Sequence, residues 1–432
     1  MKSSGVASWV WRVVLAAMVL AAGPGYAKNA KDDVYRSVKL FTDVVSIVRE
    51  NYVGKVESGK LIQGAINGML QTLDPHSSLL TPEDFQEMRI DTRGEFGGVG
   101  VEITIRDNML TVVAPIEGTP ADRAGILSGD RIVKIDGRLT QEMSLSDAVR
   151  AMRGPKGTVT TLTILRGNQT VPKDISITRA IIKIVSVRAK MLETGFGCVR
   201  IAQFQENTAR DLKRSLAELF RENRRPLDGL VLDLRNNPGG LLEEAVRVAD
   251  VFLTRGLVVY TEGREASSRK QFFAQNDGQE PACPIVVLIN GGSASASEIV
   301  AGALQDHKRA VILGTTSFGK GSVQTILPLI DNYGLRLTTA LYYTPLGRSI
   351  QARGIVPDIV TPPLRVRTET QPAFREADLE RHLEAPAGKK EQDGHSGDAV
   401  ASEDYQLLQA LNVLKSWRIL KKAGETGVGF AS

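Results

Sequence analysis

Four short apolar runs alternate with amphipathic stretches between Ile181 and Pro362, and this alternation limits the fold more than any other feature of the chain. Cys198 to Ile201, Leu230 to Leu234, Ile285 to Ile289 and Ala310 to Leu313 read as strands. Thr208 to Arg221, Leu241 to Phe252 and Ala296 to Gln305 read as helices. A strand that is apolar on both sides has no face to offer water. It is stable in a sheet covered on both faces, and helices between strands supply the cover, which predicts an α/β core. The 432 residues leave room for two to three domains.

The flanking regions have other textures. Lys2 and Arg12 precede an apolar run from Val13 to Gly23 that is short for a bilayer, and Gly25-Tyr-Ala27 supplies small residues at a cleavage point. Residues 1–27 therefore read as a secretory signal, with an uncleaved anchor as the alternative. Residues 28–93 are mostly helical: Val34, Val38, Phe41, Val45 and Val48 fall at helical spacing, and Thr81-Pro-Glu-Asp84 looks like a helix start. From Gly94 to Arg179 strands dominate, with short helices at Thr119–Gly125 and Ser144–Met152. Residues 366–404 are poor in large apolar side chains and read as a variable segment and linker. Residues 405–432 recover a helical pattern through Leu408, Leu411 and Leu414, then end in a tail. The apolar faces of the terminal helices fit either pairing between copies or docking on the core.

Charge and cysteine usage narrow the chemistry. The net charge of +5 is spread among interspersed acids and bases, and aromatics are few, so no nucleic-acid partner is indicated. Cys198 and Cys283 each begin an apolar run and read as buried thiols, with a single disulfide left open. They are not spaced as metal ligands, histidines number only four, and no metal or cofactor is implied.

Two segments carry candidate chemistry. Asn290-Gly-Gly-Ser-Ala-Ser-Ala-Ser-Glu298 places Ser295 at a strand-to-helix turn, where the N–H of Ala296 could face an oxyanion. The same residues, Ser295 to Glu298, also fit a helix capping box. Phe318-Gly-Lys-Gly-Ser-Val-Gln324 sets Lys320 between glycines, which suits a buried lysine base as well as a surface turn. A third segment, Asp233-Leu-Arg-Asn-Asn-Pro-Gly-Gly240, enters a helix and can aim the amides of Gly239 or Gly240 at an anion. A fourth, Gly97-Gly-Val-Gly100, precedes a strand and can hold a terminal carboxylate while that strand pairs with a ligand chain. Gly314 to Lys320 matches a phosphate loop up to its lysine, but Gly321 replaces the magnesium-binding Ser or Thr, and a strand pattern follows instead of a helix.

Together with Leu73-Asp-Pro-His-Ser-Ser78 and Gly94-Glu-Phe-Gly-Gly-Val-Gly100, these motifs occur in the order found in the carboxyl-terminal processing peptidases, or tail-specific proteases, which the chain resembles from about Asp32 to Pro362. The resemblance implies an exported serine endopeptidase with an α/β protease core of crotonase/Clp-like type at 180–365, an inserted PDZ domain at 94–179, and helical N- and C-terminal segments. It places the nucleophile on Ser295, the base on Lys320 and the lysine's hydrogen-bonding partner on Gln324. Ala296 and Gly239 or Gly240 become the oxyanion donors, Gly97, Gly98, Val99 and Gly100 the carboxylate loop, and Ser293 and Ser297 structural neighbours. Implied partners are protein substrates with free apolar C-termini in the periplasm or cell envelope, with an adaptor protein and a homo-oligomer left open. Competing readings are a catalytically silent PDZ scaffold that binds tails, a crotonase-like acyl-coenzyme A enzyme and the nucleotide site.

Overall fold

The computed structural model describes residues 26–167, 169, 171–363 and 404–425. The secretory signal up to residue 25, the segment 366–403 and the tail after 425 lie outside the described residues. No helix among the described residues is long and apolar enough to cross a membrane.

The chain divides into two compact units. The first comprises the residues up to Leu80 together with 326–329 and 333–337. It contains α1 (Tyr26–Asn51), α2 (Ser58–Gln71) and β1 (Ser78–Leu80). The Asp74 carboxylate accepts the N–H groups of His76 and Ser77 and the Ser77 hydroxyl, at 2.8, 2.9 and 2.7 Å, which fixes the turn predicted at Leu73–Ser78. Strand β1 then pairs antiparallel with residues 334–336. Val34, Val38 and Phe41 on α1 are exposed.

The second unit holds everything from Thr81 to the end except those two short pieces. It opens with α3 (Pro82–Arg93), capped by the Thr81 hydroxyl and closed by Gly94 at φ 71°. The sequence groups this helix with the N-terminal ones, whereas its contacts place it in the second unit.

A β-rich module follows: β2 (Glu95–Gly98), β3 (Val101–Arg106), β4 (Met109–Pro115), α4 (Pro120–Arg123), β5 (Arg131–Ile135), β6 (Arg138–Leu139), α5 (Leu145–Met152), β7 (Val159–Leu165), β8 (Lys173–Thr178) and β9 (Ala180–Lys183). Strands β3-β4-β5-β7-β8 form an antiparallel sheet with β6 attached to β5, so β3 is an edge. Val99, Val112, Ile132, Met152 and Leu162 fill the module's own core. The chain enters and leaves through β2 and β9, which pair antiparallel, as an insertion with adjacent ends requires.

The core sheet uses β10 (Val187–Glu193), β11 (Phe196–Ile201), β12 (Gly229–Asp233), β15 (Ile285–Ile289), β16 (Ala310–Gly314) and β19 (Ile359–Val360), in that order. All neighbours from β11 onward are parallel, and β10 is antiparallel to β11. The layers alternate as the pleat dictates. Leu230 and Leu232 face α6 (Thr208–Asn223), α7 (Leu242–Asp250) and α8 (Ala296–Asp306). Val231 faces Ala410, Leu411 and Leu414 of α9 (Tyr405–Glu425). A Cβ on Gly229 would lie 2.9 Å from Leu414, so only glycine lets α9 seat this closely. Of the two fates open to the C-terminal helix, docking on the core is the one observed. A second sheet is built from β13 (Gly256–Gly263), β14 (Lys270–Ala274), β17 (Ser322–Pro328) and β18 (Gly334–Tyr343). The turns after β12, β15 and β16 leave the same, carboxyl end of the parallel sheet, where α/β folds place their sites.

Candidate active site

The turn after β15 separates its three serines. Ser293 is 1% exposed, donates its hydroxyl to the Leu234 carbonyl at 2.8 Å and accepts the Asn290 N–H at 3.0 Å. Ser297 is fully buried and donates to the Asn237 carbonyl at 2.9 Å. Both hydroxyls knit this turn to the turn after β12. Ser295 is half-buried and stands at the N-cap of α8 with φ 56° and ψ −114°. That conformation costs a non-glycine residue about 1–3 kcal/mol and is typical of strained functional turns. Among the described residues no acceptor takes the Ala296 N–H at the start of the helix.

The carboxylate half of the capping box is present: Glu298 accepts the Ser295 N–H at 2.8 Å, and the Glu298 N–H donates to the Ser295 carbonyl at 2.9 Å. The same carboxylate accepts the Ser317 hydroxyl at 2.6 Å and the N–H groups of Gly319 and Lys320 at 2.7 and 2.9 Å. Phe318 N–H donates to the Ser293 carbonyl at 3.0 Å. The serine turn and the segment after β16 are thus brought together backbone to backbone, with Lys320 half-buried. Gly319 has φ 93°, and a Cβ there would lie 3.1 Å from Arg353 N, so the segment depends on glycine. Tyr342, 2% exposed, donates its hydroxyl to the Lys320 carbonyl. Burial pushes that phenol well above its ordinary value and the Glu298 charge pushes it further, while a hydrogen bond to the Ser295 side chain acts in the opposite sense. Gln324, half-buried on β17, donates to the Ser322 and Thr338 hydroxyls at 2.9 and 3.4 Å.

These bonds argue against a phosphate loop. The amides that would cradle a phosphate, Gly319 and Lys320, are engaged by Glu298, and the segment continues into β17, a strand. A thiol nucleophile is disfavoured as well: both cysteines are free and buried, and burial, with Asp233 nearby, pushes Cys198 up to about 12.

The turn after β12 meets the serine directly. A Cβ on Gly239 would lie 2.8 Å from the Ser295 Cβ and 3.0 Å from the Ala296 nitrogen. The Gly239 N–H is engaged by the Asn237 side-chain oxygen at 2.9 Å. Gly240 is exposed, at φ 143°, and among the described residues no acceptor takes its N–H. Asn237 is a buried hub: it also donates to the Ile201 carbonyl at 2.8 Å and accepts the Ala294 N–H at 3.0 Å. Two residues ahead, Arg235 bonds both oxygens of Asp233, at 2.9 and 2.8 Å, and both of Asp404, each at 2.7 Å, which ties the start of α9 to the root of the turn. Burial opposes its charge, but the two carboxylates outweigh that and hold the guanidinium far above its ordinary value.

In the inserted module the four candidate residues divide. Gly97 and Gly98 belong to β2 and pair with Ile181 and Ala180, so they form a strand where the sequence suggests a loop. A Cβ on Gly97 would lie 2.1 Å from the Gly154 carbonyl oxygen. Val99 is buried and its carbonyl accepts the Ala121 N–H. Gly100, at φ 81°, makes the link into the edge strand β3. A groove of about 1110 Å³ runs between α3 and α5, with Phe96, Leu145 and Val149 among its lining residues. Arg153 crosses it, paired with Glu87 at 2.7 Å and lying 4.7 Å over the Phe96 ring.

Sequence reasoning did not single out Glu298 beyond its capping role, nor Tyr342 or Asn237. Only Glu298 left a signal, as the carboxylate that a capping box places at the third helical position.

The sequence profile of Peptidase family S41 matches residues 195–361, a PDZ domain profile matches 111–166, and the Activating protease CtpB N-terminal domain profile matches 19–83. A carboxy-terminal-processing protease of Bartonella bacilliformis is 47% identical over 93% of this chain and 94% of its own length. A carboxyl-terminal-processing protease of a Synechocystis species is 40% identical over 74% and 75%. The solved photosystem II D1 C-terminal processing protease is 33% identical, with a TM-score of 0.44 over 76% of this chain and 94% of that one.

Proposed function

The chain belongs to peptidase family S41, the serine-type carboxy-terminal-processing proteases, and from that premise we propose that Ser295 is its nucleophile and Lys320 its general base. One observation carries the reading. Of three serines in one turn, two are buried and engaged by backbone carbonyls, while Ser295 stands in a strained conformation beside an Ala296 N–H with no acceptor among the described residues.

In this mechanism the neutral amine of Lys320 takes the hydroxyl proton as the Ser295 oxygen bonds to the scissile carbonyl carbon. The carbonyl electron pair moves to oxygen, and the oxyanion is held by the Ala296 N–H and the amide of Gly240. Gly239 becomes a further donor when Asn237 releases it. Collapse breaks the C–N bond and the lysine ammonium returns its proton to the leaving amine. Water, deprotonated by the same amine, then cleaves the acyl-enzyme. Gln324, at the base of the β17 strand, steadies the amine. Residues 94–179 act as the PDZ domain. A substrate's free C-terminus adds as a strand along β3, and its carboxylate lies at Gly100, the turn that leads into that strand. The signal at residues 1–27 sends the enzyme to the periplasm or cell envelope, where its substrates are envelope proteins.

The test uses the chain without its signal and an unstructured protein ending in apolar residues, followed by mass spectrometry of the products. Wild type is expected to cut, and Ser295→Ala and Lys320→Ala to leave the substrate intact. Cleavage at the wild-type rate by either variant overturns the dyad. An inert wild type that still binds the tail favours the silent scaffold.

A further inference from the structure

We propose that Glu298 is a positioning residue that locks the serine turn to the lysine segment, an inference that rests on the Ser295–Lys320 reading. A capping box would require of this carboxylate a single backbone N–H, that of Ser295. Three of the four groups it accepts come instead from 317–320, a segment distant in sequence: the Ser317 hydroxyl and the Gly319 and Lys320 amides. Their distribution is specific. One carboxylate oxygen takes Ser317 and Gly319, and the other takes Ser295 and Lys320 together. The backbone nitrogens of the nucleophile and the base are thus joined through one atom, and contacts of 2.8 and 2.9 Å bound their separation.

Energetics make the arrangement a lock. Glu298 is 0% exposed. A buried carboxylate is costly unless its lone pairs are filled, and four donors match its capacity. If the lysine segment moves away, three of the four bonds are lost inside a dry site, so the closed arrangement is strongly preferred. Ser317 extends the lock outward, because its oxygen accepts the Ile355 N–H at 2.6 Å. Tyr342 closes it on the other side through the Lys320 carbonyl.

The experiment compares Glu298→Gln with wild type for kcat and KM on the tail substrate, with circular dichroism and tail binding as checks of the fold. Glutamine keeps the volume but retains one acceptor oxygen, so one pair of donors meets an NH2 group. A folded variant whose kcat falls about a hundredfold, with KM and tail affinity unchanged, is the expected result. A wild-type kcat reduces Glu298 to a helix cap and overturns the proposal. If the variant does not fold, Ser317→Ala decides: a severalfold lower kcat at constant KM supports the lock, and an unchanged kcat overturns it. Ser295→Ala and Lys320→Ala run in parallel. If they remain active, the dyad itself has failed and the lock with it; if they are inert while Glu298→Gln is normal, only the lock has failed.

Discussion

The inserted PDZ domain and the protease core are both built on sheets, yet they leave opposite parts of those sheets open. The core buries β12 and β15 on both faces and exposes only the turns at their carboxyl ends. The PDZ sheet leaves β3 as an unpaired edge whose backbone can bond another chain. An edge reads backbone and end group and tolerates many side chains, whereas a turn at a strand end fixes a few atoms closely. Recognition and chemistry can therefore be separated by mutation, and each substitution below tests whether that separation holds.

The largest effect is expected at the strand ends. Ser295→Ala and Lys320→Ala should each lower kcat by roughly a thousandfold or more while tail affinity, measured by fluorescence anisotropy of a labelled peptide, stays at the wild-type value. A parallel loss of affinity would break the comparison. Next comes Arg235→Ala, which leaves the buried Asp233 without its main partner and should cost about 3 kcal/mol in urea unfolding. The linked acid, Asp404, is raised by burial but held below its ordinary value by the hydrogen bonds and charge of Arg235, with a net lowering. Its contribution is therefore present above the ordinary carboxylate range and is lost as pH falls through the lowered value. Wild type should lose stability on acidification below about pH 4, and Asp404→Asn should lose less over the same range. Gly100→Ala acts at the edge: it forces a Cβ to within 2.4 Å of Thr119 at φ 81°. It should raise KM about tenfold through a weaker tail site and leave kcat unchanged. The smallest effect is expected from Ser297→Ala, which removes one buried hydrogen bond, costs about 1 kcal/mol of stability and keeps cleavage. Loss of all activity there would mean that the wrong serine of the turn was assigned.

Much of the core was legible because its strands are continuous apolar runs. Ile285–Ile289 appears with its predicted bounds, two other core strands extend by one or two residues, and the fourth, Gly229–Asp233, is shifted by one from Leu230–Leu234. Two of the strands that went unread are polar or rich in glycine. Lys173–Thr178 carries four polar residues against two isoleucines, and Glu95–Gly98 is half glycine, which resembles a turn until its partner Ala180–Lys183 is in place. The site shows the same limit. Ser295 and Lys320 stand in recognisable local patterns, but that Glu298 accepts from a segment beyond β16, or that Tyr342 reaches the Lys320 carbonyl, depends on distant contacts that no window of sequence contains. The α3 helix is legible from its Thr-Pro start, whereas its place in the second unit rests on contacts outside its own segment.

The clasp between Arg235 and Asp404 joins positions 169 residues apart, and Gln406, two residues further on, adds a bond to the Thr361 carbonyl at 2.7 Å. The turn after β12 is therefore only as firm as the seat of a helix remote from it in the chain. A substitution that unseats α9 reaches that turn without touching it.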